Sequence, residues 1–204
     1  MTNAFKKKLR ISLISLVAIS ALGLSAYPFW PLVSYHLGDQ GAELNKLPTP
    51  TAYAEEEVLF QEEKEEITGN RLVIPKIGVN MPITGGNNDE YAWSLGAWID
   101  PQTSTPDKGS NTALSAHRFQ YRPPSSKTFY LLDKLEEGDE VVVYWEDKLY
   151  TYRVTGSSVV TPYAAEVLEP TDNSTITLIT CTPLFSTKNR LVVTAELVEI
   201  ISSE

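Results

Sequence analysis

The residue best suited to nucleophilic chemistry in this sequence is Cys181, the only thiol among 204 residues. It ends a β-branched, apolar run that starts at Thr175, a pattern typical of a buried strand. Pro183 cannot donate to a sheet, so the strand is predicted to stop close to Cys181. A second apolar run starts at Arg190, and pairing of the two strands would bring its guanidinium near the thiol. Because a neighbouring cation favours the nucleophilic thiolate, the spacing predicts an activated cysteine at a strand end.

The acid or base that thiol chemistry requires is predicted to be His117, which follows the apolar run 112–116. From the residues alone, a structural alternative stays open. A lone cysteine on a strand is usually a small buried hydrophobe, and His117 and Arg190 would then be a hydrogen-bonded structural residue and a solvated one. All three residues are predicted to lie at strand ends, and this shared position favours the catalytic interpretation.

The N-terminus has the pattern of a membrane anchor. Residues 1–10 form a basic cap, and residues 11–33 contain no charged side chain. A helix needs about 20 consecutive apolar residues to cross the hydrocarbon core of a bilayer, so this run is long enough. The basic side is expected to stay in the cytoplasm and the remainder to lie outside. A cleaved secretory signal is the competing interpretation, but no small-x-small site closes the run, so we predict an uncleaved anchor. Tyr27, Phe29, Trp30 and Tyr35 are predicted to form an interfacial belt, and Pro28 and Pro31 to end the helix.

Residues 34–69 are predicted to be an acidic spacer that holds the folded part away from the membrane. Four of the 17 Lys and Arg residues lie in the basic cap, which leaves 13 positive charges against all 26 Asp and Glu residues beyond it. A surface with this charge excludes binding to nucleic acid or to anionic lipid. The acidic residues are concentrated in the segment 55–66, which is expected to be a solvated helix or a disordered linker.

Residues 70–204 have the composition of one globular domain, and about 130 residues suffice for one core. Many short apolar runs separated by turn signals predict an all-β barrel or sandwich. The predicted strands are 71–74, 77–79, 112–116, 140–145, 148–154, 157–161, 175–181 and a strand from Arg190. Helical signal is confined to a turn or two in residues 128–135.

Cysteine usage supports a functional thiol. Secreted domains of this size often keep cysteines as disulfides, but Cys181 has no partner in the chain. It must therefore be buried and inert, paired with another molecule, or retained for its reactivity. Two histidines and one cysteine, widely spaced, do not make a zinc pattern, and no phosphate-binding loop is present. We predict neither a metal nor a cofactor.

Four segments together resemble those of the sortases, the membrane-anchored cysteine transpeptidases of bacterial cell surfaces. Residues 177–181, TLITC, are similar to their TLxTC signature, and residues 115–118, SAHR, to the segment with their catalytic histidine. Residues 190–193, RLVV, are similar to their catalytic-arginine strand, and residues 71–78 to their opening strands. The resemblance implies a closed eight-stranded β-barrel with short helices, preceded by an N-terminal transmembrane helix. Among the subfamilies, the sequence is most similar to housekeeping or class D/E members. Pilin-polymerising members often carry a lid with an Asp-Pro-aromatic motif before the barrel. Here Asp100-Pro101 lies inside the domain and is followed by Gln102, so it does not match that lid. We expect one membrane anchor, at the N-terminus.

The resemblance also implies roles. Cys181 would attack a sorting motif similar to LPxTG in surface proteins, Arg190 would stabilise the oxyanion, and His117 would act as acid and then as base. An amine of a cell-wall precursor would resolve the thioester, with water as a slow substitute. Thr180, Val167 and Leu168 are the expected substrate-binding residues.

Two other classes of function are compatible with parts of the pattern. A different exoplasmic cysteine hydrolase or cross-linking enzyme needs the same cysteine and histidine, although no local Cys-Gly or His-Gly signature supports it. A non-catalytic, membrane-tethered β-barrel that binds a surface partner would keep the fold and bury Cys181. Reactivity of the thiol towards a small, charged reagent distinguishes the last alternative from the enzymes.

Overall fold

A computed structural model describes residues 3–37, 69–86, 90–119 and 126–202. Most of the predicted acidic spacer, including the acidic segment 55–66, lies outside these ranges. The helices are α1 (Asn3–Ala26), α2 (Trp30–His36) and α3 (Glu90–Leu95). Short 3₁₀ turns cover Tyr27–Phe29, Pro75–Ile77, Pro106–Lys108, Leu132–Lys134 and Ala165–Leu168.

Eight strands form a closed barrel, as predicted. They are β1 (Arg71–Ile74), β2 (Val79–Thr84), β3 (Ala97–Ile99), β4 (Asn111–Ser115), β5 (Glu140–Trp145), β6 (Lys148–Val160), β7 (Thr175–Thr182) and β8 (Asn189–Ser202). The order around the barrel is β1-β2-β3-β4-β7-β8-β6-β5, and β5 pairs with β1 to close it. The pairs β2–β3 and β4–β7 are parallel, and the others are antiparallel.

Alternation of side chains along the strands fills the interior. In β5, for example, Val141 and Val143 are fully buried in the core, and in β7 the same is true of Ile176 and Leu178. Residues at every second position of a strand face the same side. The β-branched runs of the sequence therefore place one half of their side chains in the core of the barrel. The remaining large side chains of the interior include Leu72, Met81, Leu114, Phe129, Tyr150 and Tyr152.

The structure differs from the sequence-based strands in three places. The predicted strand 77–79 is wrong for its first two residues, because Ile77 ends a 3₁₀ turn and Gly78 has a left-handed φ of +68°; β2 starts only at Val79 and continues to Thr84. The predicted strands 148–154 and 157–161 are one strand, β6, because a register shift between Val154 and Gly156 bends it without ending it. The segment 90–99 had no predicted structure but forms α3 and β3. Gly96 allows the turn between them, since a Cβ at this position would lie 2.2 Å from the carbonyl oxygen of Pro82.

The N-terminal segment is helical up to His36 and is interrupted once. α1 ends at Ala26, just before the predicted break at Pro28, but Pro31 begins α2 instead of ending a helix. Proline is tolerated in a first turn because the N–H it lacks would have no helical partner there. Within the described residues, one stretch is long and apolar enough to cross a membrane, Ser12–His36, with 25 residues and a mean hydropathy of 1.7.

Candidate active site

Cys181 and Arg190 lie directly opposite each other on the antiparallel strands β7 and β8. Opposed residues on such strands have Cβ atoms about 4.5–5.5 Å apart and point to the same face. The loop that joins the strands leaves β7 at Thr182 and enters β8 at Asn189. Its proline, Pro183, is exposed and ends the ladder, as expected of a residue with no N–H. Local sequence therefore places the thiol and the guanidinium side by side at one end of the barrel.

His117 lies level with Cys181 because β4 and β7 are parallel. Ser115 pairs with Ile179, which is the last pair of the two strands. His117 lies two residues beyond Ser115 and Cys181 two residues beyond Ile179, so we infer from this register that His117 lies beside Cys181. Two contacts hold the strands together beyond their last pair, an N–H of Ala116 donating to the Ile179 carbonyl at 3.2 Å and the Thr180 hydroxyl donating to the Ala116 carbonyl at 2.8 Å. Neighbouring strands lie about 4.8 Å apart. Cys181 and Arg190 are paired directly, and His117 follows the end of the adjacent strand β4. We call these three residues the row.

This row lies on the outer face of the barrel. Side chains alternate along a strand, and Leu114, Leu178 and Leu191 point into the core of the barrel. Cys181 and Arg190 lie an odd number of residues from the core leucines of their own strands, and therefore face away from the core. His117, Cys181 and Arg190 are all half-buried, and Cys181 is a free thiol. The outer face thus offers the thiol to a ligand while the inner face supplies stability.

Trp93 positions the imidazole and was not anticipated from the sequence. Its ring lies in an edge-to-face arrangement with that of His117, with centroids 5.5 Å apart, and it stacks on Trp98 at 6.1 Å. The His117 carbonyl also accepts a hydrogen bond from the Phe129 N–H at 2.9 Å, which holds the backbone at this point. No signal in the sequence connects Trp93 with His117, because α3 and β3 meet the end of β4 only through the barrel topology.

Arg118 is a second cation near the thiol. Its side chain is only 7% exposed, and its Nη2 donates to Asp133 at 2.6 Å. Burial lowers the pKa of Arg118, whereas the Asp133 carboxylate and, more weakly, the charges of Tyr130 and Cys181 raise it. Among the described residues, its Nε and Nη1 have no hydrogen-bond partner. The sequence shows Arg118 beside the histidine, but only the structure shows that it is buried within electrostatic range of Cys181.

The residues predicted to bind substrate lie in two different places. Thr180 faces the core, is 3% exposed and uses its hydroxyl to hold Ala116, so its direct contact with a substrate stays a prediction. Val167 and Leu168 are half-buried in the 3₁₀ turn between β6 and β7. The Asn111 side-chain amide fixes this turn by donating to the carbonyls of Val167 and Glu169, both at 3.0 Å.

Asn111 begins β4 and His117 follows the end of β4 by two residues, at a position of the same parity. The six steps between them correspond to about 20 Å of extended chain. The Asn111 side chain is itself fixed by the Thr177 hydroxyl, which donates to its Oδ1 at 2.7 Å. On this face of β4 and β7, Ala113 and Thr177 are buried as well, whereas Ser115 and Ile179, next to the row, are half-buried. The accessible part of the face therefore lies close to Cys181.

The described residues contain no cluster of three or more His, Cys, Asp or Glu side chains that could hold a metal ion. A thiol, an imidazole and a guanidinium at one end of a barrel are groups that can support acyl transfer through a covalent intermediate.

Comparisons with known proteins agree with this chemistry. A model of the sortase domain matches residues 72–198. Sortase SrtE1 of Streptomyces coelicolor is 34% identical over 143 residues, which cover 63% of this chain and 40% of that protein. Sortase A of Bacillus anthracis is 32% identical over 136 residues, which cover 67% of this chain and 62% of that protein. The chain thus spans less than two thirds of the length of these relatives.

Solved structures give the same result for the fold. The crystal structure of sortase E1 from Streptomyces coelicolor with a tripeptide in the active site has a TM-score of 0.58 and 31% identity, and the match covers 65% of this chain and 88% of that one. Sortase A of Listeria monocytogenes, at 24% identity and a TM-score of 0.59, shares the fold. With the family model matched over more than half of its residues and the predicted closed barrel confirmed, the chain belongs to the sortase family.

Proposed function

We propose that this protein is a cysteine transpeptidase that cleaves an LPxTG-like sorting motif and transfers the acyl part to an amine. The observation that supports the proposal is the strand register at one end of the barrel. β7 and β8 set Cys181 opposite Arg190, and the parallel register of β4 with β7, continued past Ser115, brings His117 to the same end. The row joins a nucleophile, a proton carrier and a permanent cation at one end of a rigid barrel. Acyl transfer through a thioester needs these three functions.

In the first half-reaction, the Cys181 thiolate attacks the carbonyl carbon of the motif, between its threonine and glycine. A sulfur–carbon bond forms and the carbonyl oxygen becomes an oxyanion. When the carbon–nitrogen bond breaks, His117 donates a proton to the leaving amine, and a thioester remains on Cys181. The new N-terminal glycine peptide then leaves.

In the second half-reaction, an incoming amine attacks the thioester while His117 removes its proton. The sulfur–carbon bond breaks, an amide forms, and the Cys181 thiolate is regenerated. A cell-wall precursor is the proposed source of the amine, and water is the slow substitute. His117 therefore returns to its starting protonation state after each complete cycle.

Arg190 is proposed to stabilise the oxyanion in both halves. Its Nη1 donates to the carbonyls of Thr187 at 3.0 Å and Asn189 at 3.2 Å, which fixes the guanidinium plane. The guanidinium also carries N–H groups on Nη2 and Nε in a rigid fork. Preorganised donors of this kind are effective because they need no reorganisation when charge develops. Arg118 adds a second, buried positive charge near Cys181.

Val167 and Leu168 are proposed to form part of the wall that receives the apolar residues of the motif. The support is the position of their turn, which is fixed over β4 by Asn111, at a position of the same parity as His117. The proposed location is the cell membrane, with the N-terminus in the cytoplasm and the barrel outside. The N-terminal apolar helix fits such anchoring.

The half-buried state of Cys181 favours the enzyme over a non-catalytic binding module. A module of that kind has no use for an accessible thiol, and its cysteine is expected to be inert. The distinction between transpeptidase and hydrolase depends on the acceptor, so the test must offer both water and an amine.

The test is intact-mass spectrometry of the protein incubated with a library of sorting peptides, with and without an amine acceptor. We expect a mass increase that corresponds to the acyl part of one motif, and its loss to the amine as a new peptide product. Cys181→Ala should show neither the adduct nor the product while its thermal midpoint stays near that of the wild type. Transpeptidation by that variant would remove Cys181 from the mechanism, and turnover to acid alone in the presence of the amine would indicate a hydrolase.

A further inference from the structure

The segment that follows α1 packs against the barrel. Within Tyr27–His36, Pro31 and Ser34 are buried, and Leu32 and Tyr35 pack against the core cluster of the barrel. The opposite side of the segment is open, since Trp30 is 56% and Leu37 is 73% exposed. These residues therefore have one side that faces protein, although their composition alone would allow them to lie in a membrane.

The contact is made at an aromatic cluster formed by Phe29, Phe119, Tyr130 and Phe185, here called the aromatic clasp. Phe29 meets Phe185 edge-on at 5.9 Å, and Phe185 meets Phe119 edge-on at 4.5 Å. Phe119 lies 6.4 Å from Tyr130. The Tyr130 hydroxyl donates to the Pro28 carbonyl at 3.2 Å, and the Tyr130 side chain is only 3% exposed. Edge contacts and one buried hydroxyl give the docking a defined geometry.

Two residues of the clasp belong to the loops that carry the catalytic row. Phe119 follows His117 by two positions, and Phe185 lies between Cys181 and Arg190. Phe185 has a φ of +62°, in the left-handed region that a bulky side chain rarely adopts. Such a conformation persists when its surroundings hold it. The same loop supplies the Thr187 carbonyl that fixes the Arg190 guanidinium.

We propose that the barrel surface formed by Phe119, Tyr130 and Phe185 is a docking site for the chain's own segment Tyr27–His36, and that this docking holds the catalytic end of the barrel at the membrane surface. The part concerning catalysis rests on the proposed function. The docking itself rests only on the contacts above.

The short distance along the chain between α1 and the aromatic clasp determines how far the catalytic site lies from the membrane. Phe29 follows the end of α1 by three residues, so it lies within about 11 Å of Ala26. The connection 38–68, which would reach about 100 Å if extended, then joins two parts that already touch. Accordingly, the distance from membrane to site is determined by the clasp, and not by the acidic spacer.

The bilayer competes for the same segment. Residues 11–26 span about 24 Å as a helix, somewhat less than the hydrocarbon core of about 30 Å. Flanking lysines can compensate for such a mismatch by extending towards the headgroups. If the bilayer instead drew in residues 27–36, the clasp would be empty. The two arrangements place Phe29 in different surroundings, and this difference can be measured.

The first test is photo-crosslinking of the full chain in lipid nanodiscs, with benzoylphenylalanine in place of Phe29. We expect intramolecular crosslinks to peptides that contain Phe119 or Phe185. Benzoylphenylalanine at Leu37 is the matched control, because this exposed residue directly follows the segment and should give no such crosslink. Lipid adducts alone at position 29 would overturn the proposal. The result does not depend on catalysis, so it separates failure of the docking from failure of the proposed function.

The second test is amide hydrogen exchange of the loop 183–188 in the same nanodiscs. Phe29→Ala removes one aromatic edge contact, so exchange in the loop should become about two- to tenfold faster. Leu37→Ala should leave it unchanged, and Tyr130→Phe, which removes only the hydroxyl, should produce a smaller increase than Phe29→Ala. Equal exchange in the wild type and all three variants would show that the segment does not hold the loop.

Discussion

The rings of Trp93 and His117 lie edge to face, with centroids 5.5 Å apart and planes inclined at 61°. Trp98, behind Trp93, stacks on it at 6.1 Å and is itself buried. The imidazole of the proposed proton carrier is therefore held from one side by a pair of indoles that belong to a rigid strand and to the helix before it. A mobile imidazole would reach the correct position for proton transfer only part of the time.

Trp93→Leu is expected to lower kcat on a sorting peptide by about two- to thirtyfold, with KM little changed. One aromatic contact, or an aromatic face near a cation, contributes an interaction free energy of about 0.5–2 kcal/mol, which corresponds to this range of rates. Trp93→Phe should restore most of the rate because it keeps an aromatic ring. Steady-state kinetics of the two variants make the comparison, and a rise in KM alone would instead assign Trp93 to substrate binding.

Arg190→Lys is expected to lose about a hundred- to a thousandfold in rate although it keeps the positive charge. One oxyanion donor is worth about 2.7–4 kcal/mol in a protease, and lysine lacks the planar fork. Lysine also cannot hold the Thr187 and Asn189 carbonyls from a fixed plane. Arg190→Ala should be slower still, because the thiolate also loses the cation that lies opposite it on β8.

Turnover and the thermal midpoint should be measured together for both Arg190 variants. Stability should change little, since the residue is half-buried on the outer face and its side chain donates, within the described residues, to the carbonyls of Thr187 and Asn189 just before it in the chain. A near wild-type rate for Arg190→Lys would show that charge alone suffices. Unfolding of both variants would make the residue structural.

Asp133→Asn is expected to destabilise the protein by about 1–2 kcal/mol. The change leaves the buried guanidinium of Arg118 without its carboxylate, but Asp133 is 42% exposed, and solvent screening reduces the cost of losing the pair. Lys134→Gln is the matched control. It removes a longer, 3.4 Å pair with the same carboxylate and should cost about 0–1 kcal/mol. Urea unfolding of the three proteins provides the measurement, and equal midpoints for both variants would contradict the expected role of Arg118.

Alkaline unfolding is expected to depend on Tyr152. Burial raises the pKa of Tyr152 to about 12, with a small opposing effect of Ser174 and a small further rise from Tyr150. The unfolded chain releases this proton near pH 10, whereas the folded protein keeps it up to about pH 12. Stability should therefore be unaffected below pH 10 and fall by about 2–3 kcal/mol as the pH rises through this window.

Tyr152→Phe removes the ionisable group and should flatten that fall. Tyr163→Phe should not, because Tyr163 is 92% exposed. Denaturant midpoints measured from pH 8 to 12 give the comparison. An unchanged slope in Tyr152→Phe would assign the alkaline loss to other groups.

Local sequence was sufficient for the strands that carry the row. The β-branched run, the stop at Pro183 and the short return to Arg190 predict β7, the loop and the start of β8 to within one residue. These signals are strong because a strand whose inner face is buried must repeat with period two, and because proline cannot continue a ladder. The hairpin β5–β6 is predicted for the same reasons, apart from the bulge that extends β6 to Val160.

Contacts between distant segments could not be predicted in this way. The segment of α3 and β3 has short, irregular apolar spacing, so nothing in the chain indicated that Trp93 would meet His117. Burial of Arg118 likewise depends on Asp133, 15 residues further along, and on the loop that carries Phe129.

Residue type and order along the chain determined which three groups are candidates for acyl transfer. The reaction requires a thiol, an imidazole and a fixed cation. The sequence has one thiol, and its apolar runs place His117 and Arg190 at predicted strand ends. Only the tertiary structure decided that they share one row. Parallel pairing of β4 with β7 brings together residues 64 positions apart, and strand pairing over such distances depends on closure of the whole barrel. The docking of Phe29 on Phe185, across more than 150 residues, is decided in the same way by packing.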